Sequence, residues 1–242
     1  MYNFFVNDNE IEDSIIKITG ENLKHIKNVL RMKSGEKIFV CNKQTAESYL
    51  TEIESIENDL IVCRIIEKND STESPIKVTI YQGIPKSDKM EYIIQKAVEL
   101  GVYRIVPTEM KYCIAKIKDE DKKINRWQAI SEAAAKQSKR NIIPKVERMR
   151  TFKQLCEEIK EYDLVILAYE NSENINLKDI LKEQKKSKNM AIIIGPEGGI
   201  SQEEAEELTN EGAKSVLIGK RILRTETASI AILSMLTYEF EF

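Results

Sequence analysis

The segment AIIIGPEGGIS, residues 191–201, places an apolar run directly before a turn that holds three glycines, one proline and one carboxylate. Glycine-rich turns that follow a buried strand commonly bind a nucleotide phosphate through backbone N–H groups. A phosphate loop also needs a G-K-S/T sequence, which this turn lacks. Pro196 removes one N–H donor, and the carboxylate of Glu197 repels a phosphate. The turn therefore favours a ligand that carries no phosphate.

A carboxylate in such a turn suits a ligand with cationic or hydrogen-bond-donating groups. S-adenosylmethionine has a sulfonium, an ammonium, ribose hydroxyls and an adenine amino group, and it has no phosphate. Glycine lets the backbone approach a flat adenine and contact its edge with N–H and C=O groups. S-adenosylmethionine is therefore a ligand that suits the turn around Glu197. The alternative is structural, with Gly198 and Gly199 forming only a tight turn into a helix.

A second unusual turn, LIGKRILRTETA at residues 217–228, carries three cations between two apolar segments. Lys220, Arg221 and Arg224 either form an exposed rim or bind nucleic-acid phosphate beside the first turn. Thr225 and Thr227 stand at a predicted helix start, where a threonine hydroxyl can cap the helix. The two turns are interpreted as two halves of one site.

The elements that position both turns alternate along the chain after Pro75, from IKVTIYQGI at residues 76–84 to TETASIAILSMLTYEF at residues 225–240. Continuous apolar strands alternating with helices predict an α/β fold with a parallel sheet that is covered on both faces. Ligands of such sheets bind at the carboxyl ends of the strands, where both turns lie. Capping sequences predict three helix starts, at Asp88-x-x-Glu91, Thr151-x-x-Gln154 and Ser201-x-x-Glu204.

Residues 1 to 70 differ from the rest, because their short β-rich runs predict a small, mainly β unit. Before these runs, helical spacing over residues 20–36 places Leu23, Ile26, Val29 and Leu30 on one face, with Gly35 near the end. EKNDSTESP at residues 67–75 has the composition of a linker. We therefore predict two domains, residues 1–72 and residues 73–242.

Composition limits the kinds of site and partner. The four cysteines have no C-x-x-C spacing and the chain has one histidine, so neither a metal site nor a disulfide framework is expected. No apolar run is long enough to span a bilayer and the N-terminus has no signal-peptide pattern, which predicts a cytoplasmic protein without a membrane partner. Residues 77–150 hold 17 Lys and Arg against 9 Asp and Glu, although the whole chain has a net charge of −3. This basic middle indicates an anionic partner or, alternatively, a solvated lysine-rich surface.

Several motifs together resemble those of the ribosomal RNA small subunit methyltransferase E family, which belongs to the SPOUT superfamily. They are the two turns, HIKNVLRMKSGE at 25–36, PKSDKMEYIIQKAVELGV at 85–102 and RWQAISEAAAKQSKRNIIP at 126–144. The resemblance covers nearly the whole chain. It implies an N-terminal PUA-like β-barrel and a C-terminal SPOUT domain with a parallel sheet and a deep trefoil knot at about residues 190–235. It also implies a homodimer that methylates N3 of one uridine in 16S rRNA of the 30S ribosomal subunit, using S-adenosylmethionine.

Roles for individual residues follow from this resemblance. Arg224 is expected to stabilise the developing uracil anion, while Glu226 and Glu197 compete for a role as base or as orienting group; Glu226 pairing with Arg224 is an alternative. The residues expected to bind the cofactor are Leu167, Gly195, Pro196, Glu197, Gly198, Leu217, Ile218, Gly219, Ile222, Leu223, Thr225, Thr227 and Ala228. Those expected to bind RNA are Arg31, Lys86, Lys89, Lys136, Lys139, Arg140, Lys220 and Arg221.

Two positions depart from the family pattern. Glycines that are usual before Asp88 and before Arg140 are Ser87 and Lys139 in this chain. Both lie in loops expected to face RNA, so the departures affect which side chains contact RNA and leave the cofactor turn unchanged. Other functions compatible with the sequence are a SPOUT methyltransferase for tRNA or another rRNA site, and a non-catalytic RNA-binding or ribosome-assembly factor.

Overall fold

The computed structural model of the protein describes residues 1–170, 176–184 and 186–242. The chain divides into two compact units. Unit 1 consists of residues 1–73 and 135–143, and unit 2 consists of residues 74–134 and 144–242. No described helix is both long enough and apolar enough to cross a bilayer.

Unit 1 is built on a six-stranded sheet that curls into a half-barrel. Along the sheet the strand order is β1-β4-β5-β6-β3-β2, with β1 parallel to β4 and the other pairs antiparallel. Alternate strand residues such as Ile16, Ile18 and Ile38 are buried and form the core of the unit. The strands are β1 (Asn3–Val6), β2 (Ile11–Glu12), β3 (Ile15–Ile18), β4 (Lys37–Asn42), β5 (Ser48–Ile56) and β6 (Ile61–Asn69).

The helical segment of unit 1 is shorter than predicted. Helix α1 (Gly20–Lys24) continues as a π-helical segment, His25–Leu30, and helical structure stops at Arg31, whose φ is +53°. Ile26 is buried, but Val29 is 68% exposed, so its predicted place on the buried face is wrong. A π-helical turn holds more residues than an α-helical turn, and it therefore rotates Val29 away from the core.

The segment 135–143 is held in unit 1 by a buried arginine. Arg140 is 5% exposed and its guanidinium forms an ion pair with Glu73. The side-chain amide of Asn3 donates a hydrogen bond of 3.1 Å to the Arg140 carbonyl. Removing one partner of a buried ion pair lowers the stability of the folded protein, because it leaves an uncompensated charge in the interior. The Glu73 carboxylate is therefore the partner of the Arg140 side chain in the folded protein.

In unit 2 the described residues form a parallel sheet, as the strand and helix alternation predicts. The strand order is β10-β8-β7-β12-β11-β13, and β9 pairs with β8. The strands are β7 (Lys77–Gly83), β8 (Arg104–Glu109), β9 (Lys145–Val146), β10 (Arg150–Thr151), β11 (Leu164–Ala168), β12 (Asn189–Ile194) and β13 (Lys214–Val216). The helices that follow α1 in the chain are α2 (Lys89–Glu99), α3 (Glu120–Gln137), α4 (Phe152–Glu158), α5 (Leu177–Glu183), α6 (Gln202–Asn210) and α7 (Thr225–Glu241).

The predicted capping sequences behave differently from one another. Both capping boxes at the starts of α4 and α6 are formed, and the second fixes Ser201 directly after the glycine turn. At the start of α2 the Asp88 side chain makes no capping hydrogen bond. Glu91 instead forms an ion pair of 2.7 Å with Arg126. The Glu91 carboxylate therefore takes a tertiary ion pair, and the predicted side-chain cap of Asp88 is not formed.

The two positions that depart from the family's glycines both adopt left-handed backbone conformations. Ser87 has a φ of +57° and Lys139 a φ of +58°. This region is favoured by glycine and costs about 1 kcal/mol or more for a residue with a Cβ atom. A glycine is therefore the unstrained residue at each position.

Candidate active site

Both unusual turns line one cavity of about 640 Å³ in unit 2. The first turn follows β12 and the second follows β13, so the cavity lies at the carboxyl edge of the parallel sheet. Its volume lies in the range of small-molecule sites. The expected cofactor residues that line it are Gly195, Pro196, Glu197, Gly198, Leu217, Ile218, Gly219, Ile222, Leu223, Thr225 and Ala228.

A buried hydrogen-bond network joins the two turns. The Thr225 hydroxyl donates to the Gly195 carbonyl at 2.6 Å and accepts from the Gln82 amide at 2.8 Å. The Ser229 hydroxyl donates to the Gln82 side-chain oxygen at 2.7 Å. Thr225 therefore connects the two turns. It does not cap α7, because the N-cap residue of that helix is Arg224, which makes no side-chain capping bond. Since an unpaired buried polar group destabilises the folded state, this network holds the two turns in fixed positions relative to each other.

The glycines of the first turn are required by contacts within the protein. A Cβ atom on Gly195 would lie 2.8 Å from Cγ1 of Ile200, and one on Gly198 would lie 2.8 Å from Cβ of Tyr112. Gly83, at the end of β7, contacts the same turn, because its Cβ would lie 2.5 Å from the nitrogen of Pro196. The close approach that requires glycine therefore occurs between segments of this chain.

Two carboxylates face the ammonium of Lys89: Glu197, which lines the cavity, and Glu226, which lies outside its lining. Lys89 Nζ lies 3.1 Å from an oxygen of Glu197 and 3.3 Å from Oε2 of Glu226. The backbone N–H of Lys86 donates a hydrogen bond of 3.1 Å to Glu197, whose side chain is 27% exposed. Partial burial raises the pKa of the Glu197 carboxyl, but backbone hydrogen bonds and the Lys89 ammonium outweigh it and hold the pKa below its ordinary value. The first turn therefore presents an ionised carboxylate.

Arg224 lines the cavity with a guanidinium that is exposed. Within the described part of the chain no carboxylate forms a salt bridge with it, and Glu226 pairs with Lys89 instead. Its backbone is fixed, because its carbonyl accepts a hydrogen bond of 2.8 Å from Ala228 N–H at the start of α7. An arginine held in this way can donate hydrogen bonds to a ligand in the cavity.

Some expected cofactor residues lie away from the cavity, and several lining residues were missed. Leu167 is buried in the core and Thr227 is exposed; neither lines the cavity. Glu170, which follows β11, does line it and adds a second carboxylate. The rule that ligands bind at the carboxyl ends of parallel strands provides a signal for Glu170. The other lining residues absent from the expected cofactor set are Lys89, Ala168, Tyr169, Ile194, Gly199, Ile200, Val216, Lys220, Arg221 and Arg224.

The cations expected to bind RNA occupy different environments. In unit 2, Lys86 is exposed, and Lys220 and Arg221 are exposed at the cavity. In unit 1, Arg31 and Lys139 are exposed and Lys136 is half-buried. Arg140 differs because its guanidinium is buried against Glu73 and is not presented to solvent. The described residues contain no cluster of His, Cys, Asp and Glu that could hold a metal ion.

Comparison with known proteins identifies the family. Residues 72–237 match the family model of an RNA methyltransferase domain, and residues 18–66 match that of an RNA methyltransferase PUA domain. The ribosomal RNA small subunit methyltransferase E of Bacillus subtilis (strain 168) is 38% identical over 240 residues, which cover 96% of this chain and 93% of the relative. The chain belongs to the ribosomal RNA small subunit methyltransferase E family. The resemblance stated from the sequence motifs is thereby confirmed.

Solved structures agree with this membership. The family member from Neisseria gonorrhoeae, bound to S-adenosyl methionine, is similar with a TM-score of 0.86 and 28% identity over 98% of this chain and 97% of that chain. A methyltransferase from Legionella pneumophila in complex with the same cofactor has a TM-score of 0.82 and 31% identity over 98% and 96% of the two chains. Both similarities span both units of the chain.

Proposed function

We propose that this protein is an S-adenosylmethionine-dependent methyltransferase that acts on N3 of one uridine in 16S rRNA of the small ribosomal subunit. The observation that carries the proposal is the single cavity in which an ionised Glu197 and the Arg224 guanidinium come from two hydrogen-bonded turns. Family membership and the cofactor bound by the Neisseria and Legionella proteins support it. Cytoplasmic 30S subunits or their 16S rRNA are the proposed substrate.

The residues of the cavity fit this cofactor. Glu197 and Glu170 supply carboxylates for its cationic groups, and Leu217 and Ile200 supply apolar surface for the adenine. When bound, S-adenosylmethionine supplies a methyl group on an electrophilic sulfonium. Backbone groups of the first turn and the apolar part of the second hold the cofactor, while the cations of the second turn face the RNA.

The reaction joins the methyl group to uridine N3, and the proton of N3 has to leave. We assign the proton to the carboxylate of Glu226, whose Oε2 has only the Lys89 ammonium as a polar partner among the described residues. Arg224 donates hydrogen bonds to a carbonyl oxygen of the uracil, where negative charge develops. The products are N3-methyluridine, demethylated cofactor and a protonated Glu226, which returns its proton to water.

For RNA binding we propose the exposed cations of each unit. The exposed ones are Lys86, Lys220 and Arg221 in unit 2 and Arg31 and Lys139 in unit 1, and the half-buried Lys136 of unit 1 is proposed with them. Lysines and arginines in loops neutralise phosphates without selecting a sequence, so affinity for RNA falls steeply with salt. Arg140 is left out of this set, since its charge is neutralised by Glu73 inside unit 1.

The proposal includes a trefoil knot at about residues 190–235 and a homodimer. Strand β13 lies at the edge of the sheet beside β11, whereas α7 packs against α2 and β12, so residues 217–224 run back across the sheet edge. This return supports the knot. Met235 and Tyr238 are exposed on α7, which supports a surface for a second copy.

Replacement of Glu197 by glutamine should lower the affinity for S-adenosylmethionine about tenfold, because a charge-assisted contact is lost. The lowered pKa of Glu197 keeps its carboxyl ionised until the pH falls below the ordinary value for glutamate. The ratio of parent to variant affinities, measured by calorimetry, should therefore stay constant between about pH 6 and pH 8. Glu203→Gln, on the exposed surface of α6, is the control and should bind as the parent does. An affinity of the Glu197 variant equal to that of the parent removes Glu197 from the cofactor site.

The function is tested by offering 30S subunits, naked 16S rRNA and tRNA side by side with labelled cofactor. Products are mapped by mass spectrometry, and we expect N3-methyluridine at one position of 16S rRNA. Methylation confined to tRNA, or to another rRNA site, overturns the proposed substrate. Equilibrium dialysis without saturable cofactor binding overturns the enzymatic function and favours an RNA-binding factor.

A further inference from the structure

A second recess, of about 630 Å³, lies beside the cofactor cavity in unit 2 and is more open to solvent. Residues from the start of α2, among them Lys89 and Tyr92, form one side of it. Glu226 and Ile230 from the start of α7 form the other side. Lys89 lines both the recess and the cavity. A group held in the recess is therefore adjacent to a group held in the cavity.

The polar part of the recess is a hydrogen-bond donor next to a hydrogen-bond acceptor. Lys89 Nζ lies 3.3 Å from Oε2 of Glu226, and this buried oxygen has no other polar partner among the described residues. The Lys89 ammonium already faces two carboxylates, Glu197 and Glu226, and a phosphate there would meet both negative charges. The pairing edge of uracil places an N3–H donor between two carbonyl acceptors. Such an edge can donate to Glu226 and accept from Lys89.

The other part of the recess is aromatic and apolar. Tyr92 is 48% exposed on α2, while the buried face of that helix is formed by Met90, Ile93, Ile94, Ala97 and Val98. Tyr92 therefore has no place in the core of the unit. Exposed aromatic rings beside hydrogen-bonding groups are the means by which proteins hold a base that has left its stack.

We infer that this recess binds the target base of the RNA, turned out of its stack, with Tyr92 stacking on the ring and Lys89 and Glu226 contacting its pairing edge. The inference rests on the proposed methylation of uridine N3, and it identifies the place where that base is held. Lys89, expected from the sequence to contact RNA, contacts the base and not the phosphate. The recess accepts uracil because Glu226 needs a donor at N3, which cytosine lacks.

The test compares Tyr92→Ala and Tyr92→Phe with the parent on the RNA that the parent methylates. Loss of stacking should lower kcat/KM about tenfold to a hundredfold in Tyr92→Ala, while Tyr92→Phe keeps the ring and stays within about twofold of the parent. Affinity for S-adenosylmethionine should be unchanged in both. Tyr103→Ala is the matched control. Tyr103 is 40% exposed and immediately precedes β8, so it lies at the amino ends of the parallel strands, whereas the recess lies at their carboxyl ends.

A second measurement is independent of activity. A photoreactive p-benzoylphenylalanine at position 92 should form a crosslink to RNA at the nucleotide that becomes methylated. Parent values of kcat/KM for Tyr92→Ala, or crosslinks only to a second copy of this chain, overturn the recess as a base site and leave the methyltransferase proposal intact. If the parent methylates no RNA, the proposed function fails, and a crosslink to an RNA base still decides whether the recess binds one.

Discussion

Replacement of Arg224 by alanine should lower the rate of methyl transfer about a hundredfold to a thousandfold and leave cofactor affinity nearly unchanged. This is the usual loss when a fixed hydrogen-bond donor to a developing anion is removed. The guanidinium lines the cavity and is exposed, and the backbone of Arg224 begins α7 through its carbonyl. Alanine keeps that carbonyl, so the helix start and the stability should survive. Single-turnover methylation at saturating cofactor measures the rate.

The control is Arg221→Ala in the same turn, because Arg221 is also exposed at the cavity. It should weaken RNA binding and reduce the salt dependence of that binding, with little change in the single-turnover rate at saturating RNA. An Arg224→Ala variant with the parent's single-turnover rate would exclude stabilisation of the uracil anion by Arg224.

Replacement of Gly83 by alanine should both destabilise unit 2 and weaken cofactor binding. The new Cβ would lie 2.5 Å from the nitrogen and 2.6 Å from Cδ of Pro196, and 2.9 Å from the carbonyl carbon of Gly195. These are backbone and ring atoms of the first turn, which cannot rotate away as a side chain can. We expect a loss of about 2–3 kcal/mol in the free energy of unfolding. The displaced turn should reduce affinity for S-adenosylmethionine about tenfold or more.

Calorimetry of unfolding and of cofactor binding measures both effects. Gly219→Ala is the matched control for stability, because its Cβ would meet no atom within 4 Å and its φ lies outside the left-handed region. That variant should unfold within about 0.5 kcal/mol of the parent. Parent-like stability and cofactor binding in Gly83→Ala would contradict the close contact between the end of β7 and Pro196.

The sequence by itself determined much of the site. Pro196 and Glu197 argue against a phosphate because their chemistry is local, and Arg224 stands next to the apolar run that predicts the closing helix. The strand and helix alternation predicted the parallel sheet, since both periodicities are visible within a few residues. The capping boxes at Thr151 and Ser201 were read correctly for the same reason.

Only the tertiary structure decided which residues from distant parts of the chain come into contact. Gln82 donates a hydrogen bond to Thr225 and Gly83 contacts Pro196, so both turns are held from β7, a strand more than a hundred residues earlier, and neither residue belongs to a recognisable motif. The burial of Arg140 against Glu73 and the pairing of Glu226 with Lys89 were likewise not predicted. Local patterns encode which face of an element is apolar and where it begins. Strand order and the partners of a charged side chain depend on packing between segments far apart in sequence, and that information is expressed only when the chain folds.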